Sequence, residues 1–225
     1  MSKFIVIEGL IGVGKTSLCR ILSQEWGAEL VLEPSDVNPF LAQFYSDPER
    51  FAFPTQMFYL ATRFNQQMGL RQTGLFTQVY VADYLFAKDA LFAEQTLTGH
   101  ELELYYQFAS LLGDKVARPD LVLFLDAPTS VILSRINKRG ISSEKVIPSE
   151  YLNGLRRRYY DLWERYDEAP VYVLETTDWD YVNDMQQRAK MLELISNLLE
   201  GTDSDESPEP FRKVRDEQLM LFEAG

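Results

Sequence analysis

Residues 4–20 read FIVIEGLIGVGKTSLCR, and the fold is decided there. Phe4–Ile7 is an apolar, mostly β-branched run that predicts a buried parallel strand. It ends at Gly9, and an amphipathic helical pattern starts at Gly14 and runs to about residue 26. Between them Gly9, four residues, then Gly14, Lys15 and Thr16 complete the phosphate-loop pattern GxxxxGK[ST]. The chemistry asks for these residue types. Glycines (9, 12 and 14 here) let the backbone curl until successive N–H groups point at phosphate oxygens, and the helix N-terminus adds its positive end. Lys15 supplies a mobile point charge for the β- and γ-phosphates, and the Thr16 hydroxyl suits Mg²⁺. A chance match in a glycine-rich turn would lack the strand before and the helix after. Both are here, so the pattern implies a nucleoside triphosphate site.

Composition narrows the class. The 225 residues suit one large domain, or one domain and a tail, and 46% hydrophobic residues are enough for a core. A formal net charge of −12 argues against general nucleic-acid binding, which needs a basic surface. The single cysteine, Cys19, cannot form an internal disulfide and reads as a small buried helix residue. The N-terminus MSKFIVIEG enters the first strand at once, leaving no room for a signal peptide, and no apolar run reaches membrane-spanning length. The expectation is a soluble cytoplasmic protein.

Further along, strands alternate with helices, which predicts an α/β fold: a parallel sheet of about five strands with helices on both faces. The run 28–32 predicts a second strand ending at Glu33-Pro34. A carboxylate there faces the crevice where open α/β sheets bind ligands, and Pro34 keeps Glu33 extended. Residues 38–70 are aromatic-rich with helical spacing. Gln56 and Arg63, seven apart, share one helix face, and an amide there suits pairing with a base edge. Residues 75–85 predict a third strand closing on Asp83, followed by a helix over about 84–98. His100, the one histidine, reads as an exposed neighbour of a helix start. A helix over 101–113 precedes LVLFLDAP, the most clearly buried strand. Next comes a helix over 129–139 with Arg135 and Arg139 on one face, then a polar loop 141–147. Two arginines leading into such a loop suit a lid that closes over transferring phosphate. The run Arg156-Arg157-Arg158 reads as a solvated basic face, and the last strand is 171–176 before a helix over about 181–199. Residues 201–210, GTDSDESPEP, read as an acidic flexible linker, so the expected division is a domain over 1–200 and a linker and tail over 201–225.

Taken together, these motifs resemble the deoxyribonucleoside kinase family of P-loop enzymes over residues 1–200, and they are similar to its bacterial deoxyadenosine/deoxyguanosine kinase members. The resemblance implies an ATP-dependent phosphotransferase with an alcohol acceptor, purine-preferring, using Mg²⁺ and working as a homodimer in deoxynucleoside salvage. Gly9, Gly12, Gly14, Lys15, Thr16 and Ser17 would bind ATP, and Thr16 and Asp83 would hold the metal. Glu33 would be the general base for the sugar 5′-hydroxyl. Tyr45 would hold the 3′-hydroxyl, Gln56 would pair with the base, and Arg63 would support the base-binding cluster. RINKRGISSEKVIPSEYL is similar to the family's lid, where Arg135 and Arg139 would grip phosphates and Glu144 would help hold the sugar. Trp179 and Asp180 fall in the loop that lies along adenine.

The family's acid-Arg-Ser triplet after the third strand is not repeated. Placing Asp83 at the acid and Asp89 six residues on leaves Tyr84 where the arginine stands, whereas the ungapped register puts Ala82 at the acid and Asp83 at the arginine. Lys88 is the cation one helical turn away. Two other readings stay open: a thymidylate kinase-like monophosphate kinase, which shares the loop and lid but is opposed by the Tyr45–Gln56–Arg63 spacing and Glu33-Pro34, and a kinase-like binding or structural protein, which the missing arginine makes conceivable. Finally, Gln218-Leu219-Met220-Leu221-Phe222 resembles the QLxLF peptide with which bacterial replication proteins dock on the sliding clamp. The alternative is a tail folded back on the body or on a dimer partner.

Overall fold

The computed structural model describes residues 2–33, 37–73, 79–113, 115–141, 147–200 and 211–214, without the side chains of 45 and 70–73. Glu144, the Tyr45 side chain, the linker 201–210 and Gln218–Phe222 therefore lie outside the described residues. The strands are β1 (Lys3–Gly9), β2 (Glu29–Val31), β3 (Val79–Ala82), β4 (Leu121–Asp126), β5 (Val171–Glu175) and β6 (Phe211–Lys213). They form one sheet in the order β2-β3-β1-β4-β5-β6. All neighbours are parallel except β5 and β6. The order reverses direction at β1, which places the loop after β1 at the sheet's switch point, where such folds bind ligands.

The helices are α1 (Lys15–Trp26), α2 (Leu41–Ser46), α3 (Pro48–Thr73), α4 (Asp89–Thr96), α5 (Gly99–Gly113), α6 (Thr129–Arg139), α7 (Ser149–Arg165) and α8 (Met185–Glu200). Every residue of β4 is buried, so both of its faces are covered, as parallel strands with helical crossovers require. The main core joins the sheet to α1, α6, α7 and α8, and a smaller cluster around Ala52, Leu60, Ala93, Leu97 and Tyr105 knits α3, α4 and α5.

Three expectations change. The sheet has six strands: Phe211 pairs with Leu174 and Lys213 with Tyr172, so part of the tail returns to the sheet edge and buries Phe211. The helical stretch 38–70 breaks at Asp47 into α2 and α3. The helix expected over 84–98 is a short 3₁₀ turn, Phe86–Lys88, followed by α4. His100 is exposed in the first turn of α5, beside Glu103.

Candidate active site

The loop between β1 and α1 is built for close approach. Gly9 has φ 145°, and a Cβ there would lie 2.3 Å from the Leu125 carbonyl oxygen. Gly14 has φ 119°, and its Cβ would meet the Tyr181 hydroxyl at 2.8 Å. Only glycine fits either position. Lys15 folds back over the loop, its ammonium donating to Gly9 O at 2.8 Å and Leu10 O at 3.1 Å. Desolvation and the neighbouring Lys88 charge lower its pKa, although Glu8, Asp83 and Glu33 oppose them. Ser17 is exposed in the first turn of α1.

The ends of β1, β2 and β3 bring one dense charge cluster to this loop. The Asp83 carboxylate bridges two elements, accepting from the Thr16 hydroxyl (2.6 Å) and from the Glu33 backbone N–H (2.7 Å). Glu33 Oε1 accepts from Arg63 Nε at 2.8 Å and also from Arg63 Nη2. Arg63 Nη1 pairs with Asp89, whose other oxygen accepts from the Tyr105 hydroxyl at 2.7 Å. Glu33 Oε2 lies 3.6 Å from the Lys88 ammonium. Burial alone would raise the Glu33 pKa, but Arg63, Lys88 and Lys15 outweigh it and bring it to about 2. The carboxylate is ionised across the physiological range. Tyr84 is buried, with Arg63 over its ring at 5.9 Å, and burial pushes its hydroxyl up to about 12. It supplies an uncharged wall.

Gln56 and Arg63 are both buried, and both reach α4: Gln56 donates to the Thr96 hydroxyl (3.2 Å) and Arg63 pairs with Asp89. Gln56 Oε1 has no hydrogen-bond partner among the described residues. A buried orphan acceptor of this kind is normally satisfied by water or ligand.

On the other side of the loop, Arg135 donates to Val13 O (3.0 Å), the Thr176 hydroxyl (2.9 Å) and Thr176 O (2.7 Å). It pins the phosphate loop to the end of β5, while Arg139 is exposed one turn on. Trp179 is half-buried with Lys190 5.8 Å from its ring centre, and the exposed Asp180 accepts from Asn183 N–H and side chain. The basic run on α7 is not one solvated face. Arg156 Nε and Nη2 reach Asp126 Oδ2 at 2.9 and 2.6 Å, and Arg158 pairs with Glu94 at 3.5 Å. Arg157 is the most exposed of the three.

Glu8 went unread in the sequence. Wholly buried at the end of β1, it accepts from Leu85 N–H (2.5 Å), Gly9 N–H (3.1 Å) and the Tyr159 hydroxyl (2.8 Å), and faces Lys88 at 3.5 Å. The signal was an acid inside an otherwise apolar strand.

A parallel sheet, a phosphate loop at its switch point and a carboxylate held beside it define a P-loop phosphotransferase. Over residues 5–200 the chain matches the deoxynucleoside kinase family, and it belongs to that family. It is 37% identical over 179 residues to deoxyguanosine kinase of Bacillus subtilis, covering 79% of this chain and 86% of that one. It is 31% identical over 209 residues to deoxyguanosine kinase of Lactobacillus acidophilus, covering 87% and 90%. The solved structure of deoxyadenosine kinase from M. mycoides with dCMP and dCDP superposes with a TM-score of 0.71 at 26% identity, covering 86% of this chain and 99% of that one. The chain is therefore an enzyme of deoxynucleoside phosphorylation.

Proposed function

We propose that the protein transfers the γ-phosphoryl group of ATP to the 5′-hydroxyl of a purine deoxyribonucleoside, with Glu33 as the base. The observation that carries this is the Asp83 bridge: one carboxylate joins the Thr16 hydroxyl of the phosphate loop to the backbone of Glu33. Donor and acceptor sites are thereby locked in register. The hydroxyl oxygen bonds to the γ-phosphorus, the bond to the β–γ bridging oxygen breaks, ADP leaves, and the proton passes to Glu33. A carboxylate with a pKa of about 2 is a weak base. Phosphoryl transfer tolerates that, because positioning and charge stabilisation carry most of the catalysis. Lys15 and Arg139 contact phosphates, and Arg135 holds the loop in shape. Mg²⁺ fits the Thr16 hydroxyl and the Asp83 carboxylate, hard oxygen donors 2.6 Å apart, since such sites use one or two protein ligands beside phosphates and water. Bound there, it would supply charge neutralisation for the phosphates.

Gln56 offers an unpartnered acceptor and a donor to a base edge, and relatives named for deoxyguanosine and deoxyadenosine favour a purine. Tyr45 and Glu144 complete the sugar site, Asp89 the base side through Arg63, and Trp179 and Asp180 the adenine side. The enzyme is a cytoplasmic homodimer in this reading. The α5 helix exposes Leu104, Phe108 and Leu111 at 41%, 43% and 67%, an apolar stripe that a second copy would cover. Sedimentation showing only monomer would remove that part. Clamp docking through Gln218–Phe222 is tested by pull-down of the clamp with the full chain and a chain ending at residue 214.

The deciding experiment measures ATP turnover on four deoxynucleosides and their monophosphates, beside Glu33→Gln. Nucleoside-dependent turnover that drops about a hundredfold or more in the variant is expected. Turnover on a monophosphate alone would favour the thymidylate kinase-like reading. ATP binding with no turnover on any acceptor would favour a binding protein.

A further inference from the structure

Lys88 is a buried charged residue that this chemistry leaves without a task. It ends the 3₁₀ turn after β3, its N–H donates to Leu85 O at 3.2 Å, and 3% of its side chain is exposed. Its ammonium faces Glu8 Oε1 at 3.5 Å and Glu33 Oε2 at 3.6 Å, with the Phe92 ring centre 5.9 Å away. Both carboxylate separations are ion-pair distances rather than short hydrogen bonds. An ammonium removed from water needs compensating charge, and these two acids provide it.

The two acids do not need Lys88 equally. Glu8 already accepts from two backbone N–H groups and the Tyr159 hydroxyl. Glu33 is different. The Arg63 guanidinium takes Oε1 with two N–H groups, which leaves Oε2 facing Lys88. Oε2 is thus the oxygen available to the acceptor hydroxyl, and Lys88 is the group beside it. Arg63 is committed to Glu33 and Asp89 and lies 5.0 Å from the Tyr59 ring centre. Lys15 is bound to the carbonyls of the phosphate loop. Tyr84 fills the adjoining wall without charge.

We propose that Lys88 is a positioning residue for phosphoryl transfer: it orients Glu33 Oε2 toward the acceptor hydroxyl. The inference rests on the kinase reading above. Its influence on Glu33 agrees, since Lys88 is, with Arg63 and Lys15, among the cations that hold the Glu33 carboxyl well below its ordinary range.

The test compares wild type, Lys88→Met, Lys88→Arg, Glu33→Gln and the Lys88→Met/Glu33→Gln double variant, with thermal melts to confirm folding. Lys88→Met is expected to lower kcat by roughly a hundredfold, while the KM for ATP stays within about threefold. Lys88→Arg should return kcat to within about tenfold of wild type, because the charge is kept at altered geometry. The double variant should be no slower than Glu33→Gln alone, because a residue that acts through Glu33 has nothing left to position. Lys88→Gln replaces the methionine variant if that chain does not fold. An active wild type with wild-type kcat in Lys88→Met overturns the inference. So does a double variant whose loss is the product of the single losses. A wild type without nucleoside turnover instead overturns the kinase reading, and this inference with it.

Discussion

Two carboxylates stand at the carboxyl-terminal ends of parallel strands and are held in opposite ways. Asp126 ends β4, and its partners close around it: the Arg156 guanidinium and the Tyr160 hydroxyl (2.7 Å) on Oδ2, and the Ala127 N–H (2.9 Å) on Oδ1. Only 3% of its side chain is exposed. Glu33 follows β2 with 22% exposed, one oxygen forked by Arg63 and the other facing Lys88 across 3.6 Å. A closed set of partners fixes structure, whereas an open one leaves an oxygen for a reaction. Position at a strand end does not separate the two roles; the acceptor oxygen left facing a cation at 3.6 Å does.

The largest expected effect falls on the closed site. Asp126→Asn leaves Arg156 half-buried without its counter-charge, and breaking such a pair costs about 3–5 kcal/mol. Chemical denaturation should show that loss, with kcat of the folded enzyme within about tenfold of wild type. Full stability with abolished turnover would erase the contrast between the two acids. Glu33→Gln should show chiefly in turnover, raising the barrier by about 2.7 kcal/mol or more for a hundredfold loss, beside a stability loss of about 2 kcal/mol from its charge network.

Acid titration sharpens the same comparison. The Glu33 pKa falls from an ordinary 4.5 to about 2 on folding, because Arg63, Lys88 and Lys15 outweigh the burial that would raise it. A depressed carboxylate stabilises the fold fully above its unfolded pKa and loses that contribution as pH falls through its folded value. The wild type should therefore lose about 2 kcal/mol more than Glu33→Gln between pH 5 and pH 2, after allowance for partial exposure. Parallel denaturation curves at both pH values would contradict the charge network.

What was legible in the sequence follows contact distance along the chain. The phosphate loop is contiguous, so residue types and order suffice to place Gly9, Gly14, Lys15 and Thr16. The strand–helix alternation is likewise local, and β1, α1, β4, α6 and β5 lie within a residue or two of expectation. Glu8 is the opposite case. Its partners Leu85 and Tyr159 are 77 and 151 residues away, beyond the reach of any local pattern. The sixth strand is three residues long after an acidic stretch, too short to display alternation. The single face shared by Gln56 and Arg63 was readable from spacing. Their partners Thr96 and Asp89 needed the packing of α4 against α3.

The smallest expected effect falls on α7. Arg156, Arg157 and Arg158 look like one basic run, but a helix turns 100° per residue, so neighbours point in different directions. Arg156 shares its face with Tyr160, four residues on, and both reach Asp126. Arg157 points to solvent. Arg157→Ala should therefore change stability by no more than about 0.5 kcal/mol, while Arg156→Ala should leave Asp126 uncompensated and lose about 3 kcal/mol. Equal losses at both positions would mean that the run acts as a diffuse positive surface, and the closed partner set around Asp126 would lose its claim to be structural.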